Sequence, residues 1–144
     1  MRALGLDVGS KTIGVAISDP TGLIASARTT LARKGPGPDV AAIADLCRRE
    51  GVERVVVGMP FELDGEVGHR ARQVQRFLAV LTPALAGDPP VGVETWDERF
   101  STAAAERTLL AADLSRARRK QHIDAMAAQH ILQGWLDARE RRAP

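Results

Sequence analysis

Residues 3–18 read Ala-Leu-Gly-Leu-Asp-Val-Gly-Ser-Lys-Thr-Ile-Gly-Val-Ala-Ile-Ser, two short apolar runs around Gly9-Ser10-Lys11. Short, partly β-branched runs bounded by turn residues specify strands. Residues 3–8 and 12–18 are therefore read as strands joined by a tight turn. Asp19-Pro20-Thr21-Gly22 is a second turn, and residues 23–30 form a third strand. The chain thus opens as an antiparallel meander.

Past the meander the pattern changes. Gly35-Pro36-Gly37-Pro38 breaks the chain, and Asp39 is placed to cap a helix. Val40, Ile43, Ala44 and Cys47 follow at helical spacing until Gly51. Residues 53–58 are a fourth strand, apolar enough to be covered on both faces. A loop from Met59 to Gly68 precedes a helix carrying Val74, Phe77, Leu78 and Leu81 on one face. Residues 91–96 form a fifth strand. Ser101 caps an Ala-rich helix to about Ala112. Residues 113–120 read as a mobile basic loop, a last helix runs from about Gln121 to Arg139, and 140–144 is a frayed tail. Strands alternating with helices after a meander predict one three-layer α/β domain over 1–144. Its mixed five-stranded sheet carries helices on both faces.

Composition narrows the function. The 144 residues carry 20 Lys and Arg against 18 Asp and Glu, a net charge of +2. That excludes a histone-like polycation and an acidic tail. Five aromatic residues and no Tyr argue against binding single strands by rows of stacked rings. One cysteine, Cys47, excludes an internal disulfide and any multi-cysteine zinc site. His69, His122 and His130 form no HExxH pattern, and His69 reads as a loop residue without a catalytic part. No apolar run reaches the roughly 18 residues of a membrane span. The opening residues, with Arg2, Asp7 and Lys11, do not read as a signal peptide. The expected compartment is the cytoplasm.

The acids are the informative residues. Asp7 lies inside the first strand, between Leu6 and Val8. A carboxylate there either caps the following turn or needs a compensating charge. Asp97 and Glu98 follow the fifth strand, where sites of open sheets gather. Asp97, nearer the strand end, is the favoured member of the pair. Asp124 shares a helix face with Ala127, Ala128 and Ile131, so it should point at the sheet. Three such acids have the oxygen-only character suited to Mg²⁺ or Mn²⁺. Two ions can activate water and stabilise the leaving oxygen of a phosphodiester.

At these residues a family resemblance emerges. Leu4-Gly-Leu-Asp-Val-Gly-Ser-Lys-Thr-Ile-Gly-Val-Ala-Ile-Ser-Asp19 resembles the opening of the YqgF (RuvX) family. Val57 through Gly65 is similar to that family's second loop, although Glu62 stands where Asn is more usual. Asp97-Glu-Arg-Phe-Ser-Thr102 is similar to its Asp-Glu-Arg block, and Lys120 through Leu132 to its closing helix. The resemblance implies a ribonuclease-H-like fold. It also implies a nuclease acting on Holliday junctions or on the small-subunit ribosomal RNA precursor. The metal ligands it implies are Asp7, Asp97 or Glu98, and Asp124.

The last 32 residues carry a charge of +3, concentrated at Arg116, Arg118, Arg119 and Lys120, just before Asp124. This cluster is the expected phosphate-binding element, with Lys11, Arg70 and Arg99 as further contacts. The expected partners are pre-rRNA or branched DNA and possibly a ribosomal subunit precursor, with the protein a monomer or homodimer. Two rivals remain. Leu6 through Thr12 also resembles the first phosphate loop of actin-like sugar kinases and ATPases, which need a second domain. A non-catalytic nucleic-acid or ribosome-binding module is the other, and it has no need for three convergent acids.

Overall fold

A computed structural model describes residues 1–62, 64–98 and 116–142, with side chains at 1–62, 64–98 and 124–140. The strands are β1 (Arg2–Val8), β2 (Thr12–Ser18), β3 (Ala25–Ala32), β4 (Val52–Met59) and β5 (Gly92–Asp97). The helices are α1 (Pro36–Glu50), α2 (His69–Ala84) and α3 (Arg116–Arg142). The sheet order is β3-β2-β1-β4-β5. β1 runs antiparallel to β2 and parallel to β4. β3 is antiparallel to β2, and β5 is parallel to β4. The expected mixed five-stranded sheet with helices on both faces is therefore present. None of its described helices is long and apolar enough to cross a membrane.

The two faces are built differently, and β1 and β2 show why. Successive strand residues point to opposite faces. Leu4, Leu6, Val8, Ile13 and Val15 pack with Val55, Val57 and Met59 of β4 under α1 and α2. Each such side chain removed from water contributes about 1.5–3 kcal/mol. The alternate positions are small, and Ala3, Ala16, Ala25 and Val56 face Ala128, Ile131, Leu132, Trp135 and Leu136 of α3. A Cβ on Gly5 would lie 2.7 Å from the Leu132 Cβ and 2.9 Å from the Ala128 carbonyl. The helix therefore rests directly on sheet backbone.

Several boundaries move. The third strand is 25–32 because Asp19 extends the hairpin turn: its carboxylate accepts the amides of Thr21, Leu23 and Ile24. Residues 116–120 of the expected loop 113–120 are helical, residues 113–115 lie outside the described residues, and the helix continues to Arg142 past the expected end at Arg139. His69 opens α2 and is not a loop residue. The proposed helix from Ser101 to Ala112 lies outside the described residues.

Asp39 does not cap α1. Gly35 does, with Pro36 filling the first turn, where a missing N–H costs nothing. Asp39 is instead buried, accepting from Arg33 Nε at 2.7 Å and the Lys34 amide at 2.9 Å. Arg33 Nη1 also donates to the Gly9 carbonyl at 2.7 Å, and its guanidinium lies over the Phe77 ring. This pair ties the β1–β2 turn to the end of β3, α1 and α2. Burial pushes the Asp39 carboxyl up, but the Lys34 amide and the Arg33 guanidinium outweigh it and hold it below its ordinary value. A lowered folded pKa contributes stability above the unfolded pKa, and that stability is lost as pH falls from there through the folded pKa. Asp39→Asn should therefore cost about 3 kcal/mol at pH 7. That difference should narrow below about pH 4. Urea unfolding at pH 7 and pH 3 tests this, and an equal difference at both would refute it.

Candidate metal and nucleic-acid site

Asp7 sits near the carboxyl end of β1 with 7% of its surface exposed. Alternation with Leu6 and Val8 turns it away from α1 and α2, toward α3. Its two strand neighbours carry no side chain. Asp7 pairs with Gly14 of β2, and the β1–β4 register puts Gly58 beside it on β4. A bare patch therefore surrounds the carboxylate.

α3 fills one side of that patch. A Cβ on Gly14 would lie 1.9 Å from the Asp124 carbonyl oxygen. Only glycine lets α3 come down here, and the contact sets Asp124 across from Asp7. The Asp124 carboxylate is half-buried, and its Oδ2 accepts a hydrogen bond from Thr12 Oγ1 at 2.5 Å.

The end of β5 fills the other side. Gly58 pairs with Trp96, and Met59 with Asp97. Met59 belongs to the α1–α2 core, so its partner Asp97 shares that face. Trp96 lies on the α3 face, with its ring 3.2 Å from the Cβ position of Gly134. Glu98, two residues on, returns to the same face: its Cδ is 3.2 Å from the Cβ position of Gly58. By this contact Glu98, just past the end of β5, lies on Asp7's face, while Asp97 pairs with Met59 on the other.

Asp7, Glu98 and Asp124 therefore border one patch at the carboxyl ends of the parallel strands. Among the described residues, no three His, Cys, Asp or Glu side chains converge tightly enough to hold one ion as they stand. The donor chemistry fits Mg²⁺ or Mn²⁺ all the same. All three donors are carboxylates, Asp7 from β1, Asp124 from α3 and Glu98 from just past the end of β5, the oxygen donors that these hard cations take. Concentrated negative charge around a buried Asp7 also favours a divalent cation.

The basic residues divide. Lys11 is exposed in the β1–β2 turn, and Arg70 is exposed at the start of α2. Arg99 lies outside the described residues. Arg116, Arg118, Arg119 and Lys120 form the first turns of α3, which holds no acid in its first turn. Lys120 is four residues before Asp124, about 6 Å along the axis. Glu62, the departure in the second loop, lies against Gly68, the cap of α2. Its charge meets the positive end of that helix. Cys47 is no nucleophile: burial pushes its thiol up to about 11.

Sequence reading missed Gly14, Gly58 and Thr12. Their signal is the small-large alternation of β1 and β2, which singles out one face as open to close approach.

A family model described as RuvX, Holliday junction resolvase, matches residues 1–138. A Myxococcus xanthus protein named "Putative pre-16S rRNA nuclease" is 52% identical over 138 residues, covering 96% of this chain and 89% of its own. A Symbiobacterium thermophilum protein of the same name is 52% identical over 144 residues, covering 100% and 97%. Among solved structures, Thermus thermophilus RuvC in complex with a Holliday junction substrate aligns with a TM-score of 0.63. Its identity is 19%, covering 97% of this chain and 96% of that one. That likeness identifies the ribonuclease-H-like fold.

Proposed function

The chain belongs to the RuvX family of Holliday junction resolvases, and from that premise we propose that it is a metal-dependent nuclease of structured nucleic acid. Its favoured substrate is the 5′ end of the small-subunit ribosomal RNA precursor, processed in the cytoplasm on or near the assembling subunit. The observation that carries this reading is the set of three carboxylates on one glycine-lined face. Relatives about half identical over nearly the whole chain carry the pre-16S rRNA name.

In this reading Asp7, Glu98 and Asp124 hold the cations. When bound, Mg²⁺ or Mn²⁺ supplies water activation and neutralises charge on the leaving oxygen. Asp7 anchors from rigid strand backbone. Asp124 approaches from α3 and Glu98 from the end of β5. Arg116, Arg118, Arg119 and Lys120 grip phosphates on the approach to Asp124, and Lys11 and Arg70 extend that contact. The whole chain, 1–144, serves as one nuclease domain.

Incubation with end-labelled rRNA precursor and Mn²⁺ should give discrete cuts at the mature 5′ end. A labelled four-way DNA junction tests the second reading, which the family description favours. Paired symmetric cuts in the junction alone would move the assignment there and require a dimer. Binding without cutting of either substrate would leave a non-catalytic module. Replacing Arg118, Arg119 and Lys120 by Ala should weaken RNA binding similarly across sequences. The slope of log affinity against log salt should flatten by about 2, from roughly 0.7 per phosphate contact. An unchanged slope would remove this cluster from the interface.

A further inference from the structure

Thr12 begins β2 at the exit of the first turn, on the same face as Gly14 two residues later. Its backbone is held on both sides. The Thr12 carbonyl accepts the Gly9 amide at 2.8 Å, and Thr12 pairs with Ala32 of β3. Behind the turn, Arg33 donates to the Gly9 carbonyl and the Arg33 amide donates to the Lys11 carbonyl at 2.9 Å. The hydroxyl therefore projects from a fixed point, and it donates to Oδ2 of Asp124.

Two features of β2 act on Asp124 together. Gly14 admits its backbone, with the carbonyl where a Cβ would stand. Thr12 then takes one of its two carboxylate oxygens. A free aspartate rotates about χ2, and both oxygens compete for a cation. With Oδ2 engaged by a neutral donor, that rotation is restrained and the carboxylate meets a cation in one orientation.

We propose that Thr12 is a positioning residue. It fixes the rotamer of Asp124, and thereby the orientation its carboxylate offers to a divalent cation, without touching cation or substrate. This rests on the reading of Asp124 as a metal ligand. Partners that orient a ligand in this way change metal affinity or activity by about 10–100-fold when removed. A hydroxyl also suits the task chemically. It donates to the carboxylate without adding a positive charge that would repel the cation, as Lys or Arg would.

The test compares the full-length wild type with Thr12→Val, Thr12→Ser and Asp124→Asn. Val keeps the shape and loses the hydroxyl; Ser keeps the hydroxyl and loses the methyl. Mn²⁺ alone is titrated into each protein and free Mn²⁺ is read by electron paramagnetic resonance. Cleavage of an RNA oligonucleotide then gives kcat and KM, and thermal melting reports folding. Thr12→Val should bind Mn²⁺ about tenfold more weakly and lose about tenfold in kcat. KM for RNA should stay within about twofold, because phosphate contacts lie elsewhere. Thr12→Ser should recover most of both losses.

Wild-type Mn²⁺ affinity in Thr12→Val, with Asp124→Asn unable to bind, would overturn the role of Thr12 alone. Equal damage in Thr12→Ser and Thr12→Val would also overturn it, since the methyl would then be what matters. Unchanged Mn²⁺ affinity in Asp124→Asn would overturn the metal reading and this proposal with it.

Discussion

Asp7→Asn should lower metal-dependent cleavage by at least about 10³-fold, some 4 kcal/mol of lost stabilisation, while the protein stays folded. The carboxamide keeps the shape of the carboxylate and loses its charge, so in the proposed site a cation would lose its most buried ligand. Strand β1 is paired on both sides, to β2 and β4, and that backbone ladder does not depend on the Asp7 side chain. The melting temperature should stay within about 5 °C, the shift that roughly 1 kcal/mol gives in a domain near this size. RNA binding in the absence of metal should be nearly unchanged, because the proposed phosphate contacts come from basic residues and not from Asp7. Activity within tenfold of wild type would take Asp7 out of the site.

Gly14→Ala should have the second largest effect, and through geometry alone. Its φ is not in the left-handed region, so alanine meets no backbone penalty. The added Cβ would stand 1.9 Å from the Asp124 carbonyl oxygen and 2.3 Å from its carbon. Both are backbone atoms of a helix and cannot rotate aside. Either α3 lifts off the sheet or β2 bends, at a cost of about 3 kcal/mol, the upper end of ordinary overpacking. A displacement near 1 Å would also carry Asp124 away from Asp7 and lower activity by about 10²-fold. Gly58→Ala is the informative contrast. Its nearest neighbour is Ile131 Cδ1 at 2.5 Å, the far end of a flexible side chain. Ile131→Val, which removes only that Cδ1, should therefore rescue Gly58→Ala, whereas no single side-chain truncation should rescue Gly14→Ala. Stability and cleavage measured on these variants separate the two cases. Rescue of Gly14→Ala by Ile131→Val would refute the backbone contact.

Much of the scaffold is legible in local pattern. The turns at Gly9-Ser10-Lys11 and Gly51, the β-branched run of β4 and the helical spacing from Val40 to Cys47 each specify their element without help. Their boundaries depend on less local bonds. Asp39 reads as a cap, yet its carboxylate is claimed by Arg33 and the Lys34 amide, and Gly35 caps instead. Arg116–Lys120 reads as a loop because it is polar and basic. A basic run says nothing about whether the backbone continues an adjoining helix, and here it does.

The sequence by itself determined which residue types are available for chemistry and where they lie along the chain. Asp7 is in a strand, Asp124 is on the apolar side of a helix, and an acid pair follows β5. Those are local facts, read from spacings of two and of three to four. Only the tertiary structure decided which acids share a face. Glu98 and not Asp97 borders the patch, because the register of β5 on β4 pairs Asp97 with Met59 over the opposite core. Asp124 reaches the patch because Gly14, 110 positions earlier in the chain, leaves room for its backbone. Register and close approach are relations between segments distant in sequence, set by packing, and no local periodicity encodes them.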